Sequence, residues 1–188
     1  MTGWIVLGVF ALILAALVLY VIVIYNGFIS MRNNIDKAWS NIDVLLKQRF
    51  DELPKLIKVC EGYMQHEQRT LEAVVKARSM VDQAGSTEEK LQAQNALTDT
   101  LRSLFMVVER YPELKADKAF RNLQARITEI EDQIADRREF FNDAVNIYNI
   151  RLDQFPDVLV ARLFNFTRRT LWKIDPAHRA DVQVAFQG

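Results

Sequence analysis

Cysteine, glycine, proline and histidine are all scarce in this sequence of 188 residues, and each scarcity excludes something. Cys60 stands alone, so no intrachain disulfide can form and a four-thiolate zinc site is ruled out. The lone thiol reads as a small buried apolar residue, and its lack of a partner agrees with a reducing compartment. The 6 glycines fall singly, so no glycine-rich loop is available to cradle a phosphate. With only 4 prolines besides, turns must be few, and the composition favours long helices over sheet. Neither sign of charge is in excess: 24 Lys and Arg balance 24 Asp and Glu. No net field therefore draws the chain to nucleic acid, and a DNA or RNA partner is not expected.

Metal and catalytic chemistry lack their usual residues. His66-Glu67 opens like an H-E-x-x-H zinc site, but Thr70 stands where the second histidine is needed. A di-iron bundle needs two Glu-x-x-His pairs, and the chain has only His66 and His178, neither preceded by Glu at the right step. Nucleophilic or acid–base catalysis needs a positioned base beside an activated group, which long helices joined by short turns do not offer. The expectation is a protein that is not an enzyme and takes no cofactor or metal.

One long hydrophobic run is present. From Trp4 to Tyr25 there is no charged residue, and the stretch is apolar on all sides. At 1.5 Å per residue it reaches about 33 Å, enough to cross a hydrocarbon core of about 30 Å. Only Met1, Thr2 and Gly3 precede it, without the basic start of a cleaved signal, so it is read as an uncleaved anchor that meets the bilayer over residues 4–25. Trp4 at one end and Tyr20 and Tyr25 at the other suit the two interfaces. Arg32 and Lys37 follow the run while no cation precedes it, which puts the C-terminal part in the cytoplasm by the positive-inside rule.

Beyond the run, helical periodicity takes over. Ile35, Trp39, Ile42, Leu46, Leu53, Ile57, Cys60, Met64, Leu71, Val74 and Val81 form one seam at steps of three and four, interrupted by Arg49, Glu67 and Arg78. It predicts a single helix from about Phe28 to Gln83, about 80 Å long, kinked at Leu53-Pro54. Ser86 followed by Glu89 reads as a capping box for a third segment that stops at Pro112. A loop, Pro112 to Ala116, then precedes Asp117 as the next N-cap. A fourth segment carries Phe120, Leu123, Ile127, Ile130, Ile134, Phe141, Val145, Tyr148, Leu152 and Phe155 and ends at Pro156. Val158 to Phe164 add two turns, after which the signal fades.

Charged residues on or beside the seams must pair if they are buried. A cross-helix network of Glu67 and Glu131 with Arg78, Arg137 or Arg138 would fix helix register, against the plainer alternative of solvated seam edges. Near the end, Arg162, Arg168, Arg169 and Lys173 alternate with Leu163, Phe164, Phe166, Leu171 and Trp172. That mixture can lie on an anionic membrane surface, or it can be a tail whose aromatics pack on the bundle, the reading favoured here.

The order of polar and aromatic positions resembles the LemA family of bacterial membrane proteins over about Tyr25 to Phe166. The residues that carry the likeness are Tyr25-Asn26, Arg32-Asn33, Ala38-Trp39, Ile42-Asp43-Val44, Leu46-Lys47 with Arg49, Leu53-Pro54, Gly62-Tyr63 and His66-Glu67. They continue with Ala77-Arg78, Tyr111-Pro112, Leu114-Lys115-Ala116, Arg137-Arg138, Phe141-Asn142, Tyr148-Asn149, Phe155-Pro156 and Phe164-Asn165-Phe166. Most members have Tyr-Asn in place of Phe141-Asn142. The resemblance implies one N-terminal span, a helical bundle and, by analogy, an accessory or scaffolding role near membrane proteins such as peptidases.

These readings converge on an all-α protein: an N-terminal transmembrane helix followed by an elongated antiparallel three- to four-helix bundle. Residues 1–25 form the anchor, 26–166 the bundle and 167–188 a C-terminal tail. The expected role is a scaffold at the bacterial inner membrane that assembles with itself or organises partners. The alternative is a regulatory subunit of a membrane enzyme such as a peptidase.

Overall fold

Six helices make up the computed structural model, which describes residues 2–173: α1 (Thr2–Glu61), α2 (Gln68–Gln83), α3 (Thr87–Val108), α4 (Pro112–Ala116), α5 (Lys118–Asp153) and α6 (Asp157–Leu163). No strand occurs among the described residues. His178 and the rest of the tail beyond Lys173 lie outside them.

Packing divides the chain into two units that each draw on both α1 and α5. One contains α1 up to Asn41 together with Glu139–Leu171; the other contains Ile42–Arg138 with Trp172 and Lys173.

In the first unit α1 and the end of α5 run antiparallel, because partners on α5 fall in number as those on α1 rise. Trp39 meets Phe141 with ring centroids 5.6 Å apart, Phe28 meets Tyr148 edge-on at 6.0 Å, and the Arg151 guanidinium lies over the Phe28 ring. A Cβ at Gly27 would stand 3.0 Å from Arg151 Nη1, so glycine leaves the room that this side chain occupies. Ile24, Phe28, Ile35, Phe141, Val145, Tyr148 and Leu152 are buried here.

Asn165 explains why the helical pattern stops where it does. It adopts a left-handed φ of 56°, which asparagine tolerates better than most residues. Asn165 N–H donates to the Arg162 carbonyl (3.3 Å) and Phe166 N–H to the Ala161 carbonyl (2.9 Å), the paired bonds of a Schellman cap. The turn aims Phe164 and Phe166 at Tyr25, at centroid distances of 4.8 and 5.6 Å, and stacks Phe166 on Phe28 at 4.9 Å. The chain then zips along α5. Tyr148 Oη donates to the Thr167 carbonyl (3.1 Å), Asn149 Nδ2 donates to the Arg169 carbonyl, and Arg169 N–H donates back to Asn149 Oδ1, both at 2.9 Å.

In the second unit the rest of α1 packs with α2, α3, α4 and the first part of α5 around Leu53, Leu56, Cys60, Met64, Leu71, Val74, Leu97, Leu101, Leu104, Leu114, Phe120 and Ile127. The α2–α3 connection closes with the capping box read from the sequence. Glu89 N–H donates to Ser86 Oγ (3.2 Å), while Glu89 Oε2 accepts from the backbone N–H of Ser86 (3.1 Å) and of Gly85 (2.9 Å). Asp117 caps α5 by accepting the Phe120 N–H at 2.9 Å.

Two element boundaries depart from the expectations. The predicted helix from Phe28 to Gln83 is instead α1 and α2, parted at Gly62–Glu67. Tyr63 and Met64 N–H both turn back to the Cys60 carbonyl, which returns Met64 to the core, so the seam's spacing runs through a break it does not reveal. Pro54 lies inside α1, within the continuous helix expected there, and the buried Glu52, Leu53 and Leu56 hold both its flanks in place. Pro112–Ala116 is the short helix α4 and not a loop, since proline at a first helical position gives up only an N–H that would have had no partner.

Candidate functional site

The molecule presents two features that ordinary folding does not require: a charged cluster inside the second unit and a bare apolar stretch on α1.

The cluster centres on Arg49, which occupies a core position on α1 between Leu46 and Leu53 and is only 1% exposed. Its Nη1 donates to Thr98 Oγ1 at 2.8 Å and to Glu131 Oε1, and its Nη2 donates to Gln94 Oε1. Thr98 Oγ1 in turn donates to Glu131 Oε2 at 3.0 Å, closing a ring of α1, α3 and α5. Arg49 Nε has no acceptor among the described residues. A buried pair of this kind adds little over well-packed apolar residues, but it makes any other helix register costly.

The network expected from the sequence therefore divides. Glu131 pairs with Arg49, whereas Glu67 accepts from Arg110 Nη2 (2.8 Å) and Tyr111 Oη (3.3 Å), tying the start of α2 to the end of α3. Arg78 stacks its guanidinium 4.1 Å above the Phe50 ring, and Arg137 is exposed. Arg138 faces Trp172 at 5.6 Å; burial pushes its guanidinium below the usual value, with Glu131 opposing that shift. Glu52, also buried, holds Lys55 (2.9 Å) and Arg126 (3.1 Å). The sequence showed that Arg49 interrupts a seam. Its partners Gln94 and Thr98 lie at helical spacing between Leu91 and Leu101 on α3, a spacing that does not say which residue of α1 they meet.

Trp172 is buried, its Nε1 donating to Asn95 Oδ1 at 2.9 Å while Asn95 Nδ2 donates to the Lys173 carbonyl at 2.9 Å. With Asn95, Thr98, Arg102, Glu131 and Arg138 it lines a cavity of about 340 Å³. Arg168 pairs with Asp153, and Arg169 lies 3.8 Å from Asp36, so these two tail cations are directed to carboxylates. Cys60 is buried, and desolvation, helped by Glu61, pushes its thiol up to about 12, so it stays protonated at neutral pH. No group of three or more His, Cys, Asp or Glu side chains able to hold a metal is found among the described residues.

The second feature is the start of α1. It is the one helix among the described residues long and apolar enough to cross a membrane, and none of its most apolar window is buried. Large apolar side chains from Trp4 to Val23 are exposed, with Tyr20 among them. Burial begins at Ile24, and Tyr25 packs on Phe164 and Phe166, so this tyrosine, expected at a membrane interface, is part of the first unit's aromatic cluster. The bare stretch from Trp4 to Val23 spans about 30 Å at 1.5 Å per residue.

Comparison with known proteins agrees with this arrangement. The sequence model of the LemA family matches residues 38–186. The chain is 25% identical to the magnetosome protein MamQ 2 of Paramagnetospirillum magneticum, over 81% of this chain and 66% of that protein, just under two thirds of its length. It is 22% identical to the magnetosome protein MamQ of Magnetospirillum gryphiswaldense, over 91% of this chain and 72% of the relative. It is 26% identical to Protein LemA of Metamycoplasma hominis, over 85% and 74%. With its apolar helix and all-helical fold, the chain is a membrane-associated helical protein and belongs to the LemA family.

Proposed function

We propose that the protein is a membrane-anchored helical scaffold, self-assembling or organising partners at the bacterial inner membrane, without catalysis. The observation that carries this reading is the bare apolar stretch of α1, which continues without interruption into the helix bearing Arg49. The buried charges of the second unit support it, because Arg49, Glu52 and Glu131 are consumed in holding α1, α3 and α5 together. A catalytic group must be free to meet a substrate. The relatives are named as magnetosome proteins and as LemA, not as enzymes, which favours the same reading.

Light scattering of the detergent-extracted full-length protein, beside a form starting at Asn26, tests the proposal. A scaffold gives an assembly larger than one chain whose mass is independent of concentration. A strict monomer in both forms overturns self-assembly and turns the search to a partner enzyme that copurifies in fixed ratio.

A further inference from the structure

The corner between α5 and α6 leaves three large apolar side chains bare. Phe155 is 81% exposed, Leu159 60% and Leu163 71%, although the sequence pattern placed Phe155 in a packed seam. Leu159 and Leu163 are four residues apart and share one face of α6, while Asp157, Val160 and Ala161 on its other side are buried. Side chains of this size cluster on a surface when something apolar covers them.

Their position within the first unit says what that is. Arg151, in the last turn of α5, lies at the level of Gly27 and Phe28 on the antiparallel α1, and Phe155 follows just past the end of that helix. Phe164, at the end of α6, touches Tyr25. The corner thus stands where the burial of α1 ends and its bare apolar stretch begins. Charge agrees: Arg151 pairs with Asp157, Arg168 with Asp153, and Arg169 faces Asp36, while Arg162 on α6 is exposed.

We propose that the face formed by Phe155, Leu159 and Leu163 docks into the headgroup layer of the same bilayer that α1 crosses, with Arg162 directed to lipid phosphates. The proposal rests on reading α1 as a span, and it adds a second, peripheral membrane contact. Apolar groups enter the boundary between headgroups and acyl chains while neighbouring cations meet anionic lipid.

Depth-dependent fluorescence quenching tests it on the full chain. In a Cys60→Ser background, single cysteines from Leu12→Cys, Leu159→Cys and Glu139→Cys are labelled with an environment-sensitive dye. Each protein is placed at one copy per nanodisc of phosphatidylcholine and phosphatidylglycerol carrying nitroxide lipids. Shallow nitroxides should quench the 159 label at least about two-fold more than the exposed 139 label, and deep nitroxides should quench the 12 label. Adding Phe155→Ser and Leu163→Ser should abolish the difference between 159 and 139. Equal quenching at 159 and 139, with the 12 label still quenched, overturns the peripheral contact and leaves the span intact. Loss of quenching at 12 removes the span and the proposal together. Quenching or a blue shift at 159 that arises only with two copies per disc assigns the face to a second chain and overturns the bilayer contact.

Discussion

Arg49 is the residue on which the second unit's helix register turns. Removing it as Arg49→Ala leaves the Glu131 carboxylate and the Gln94 amide without their buried donor, which should cost about 3–5 kcal/mol. Arg49→Met combined with Glu131→Leu should recover most of that loss, because apolar replacements remove the desolvation penalty along with the pair. Thermal unfolding of the two variants in detergent, followed by helical signal, checks the contrast; similar losses in both would mean that the pair is not the source. Glu67→Ala should cost about 1 kcal/mol or less, since its partner Arg110 is largely exposed. The sequence marked Arg49 as a charge in an apolar seam and Cys60 as core. It could not say that residue 49 meets residue 131, because that pairing is set by how three helices align and not by any local spacing.

At the scale of elements, termini matter most. Ser86→Ala removes the side chain that starts α3 and should cost about 1 kcal/mol of stability, read as a lower melting temperature. The carboxylates of Glu89 and Asp117 are held below their usual range. Glu89 accepts the N–H groups of Ser86 and Gly85, and Asp117 accepts first the Phe120 N–H and then the Tyr63 hydroxyl. A depressed folded-state value means that the stabilisation is complete above the unfolded-state values of about 4 and is lost as pH falls through the folded ones. Melting temperature should therefore drop as pH is lowered below about 4, and the drop should be shallower in Glu89→Gln with Asp117→Asn. An unchanged pH profile in the variant would sink this assignment. Both caps were legible because each is a local pattern of a few residues. The break after Glu61 was not, because the turn returns Met64 to the core at a helical spacing, and the cap at Asn165 depends on one left-handed residue.

At the scale of the whole molecule, the run from Trp4 was evident from composition alone, whereas its packed end at Ile24 needed the aromatic partners from beyond α6. The expected cytoplasmic orientation rests on Arg32 and Lys37 after the run, with no cation before it. A C-terminal alkaline phosphatase fusion should be inactive and a C-terminal green fluorescent fusion bright; the opposite pair of results would reverse the topology. The closure of Arg49 on Glu131 also sets a clock for synthesis. The two residues are 82 apart, so at 5–20 residues per second the guanidinium waits about 4 to 16 s after its own translation before its partner exists. Throughout that interval the Arg49 guanidinium has no Glu131 to close on, and the second unit can close only once the middle of α5 has left the ribosome.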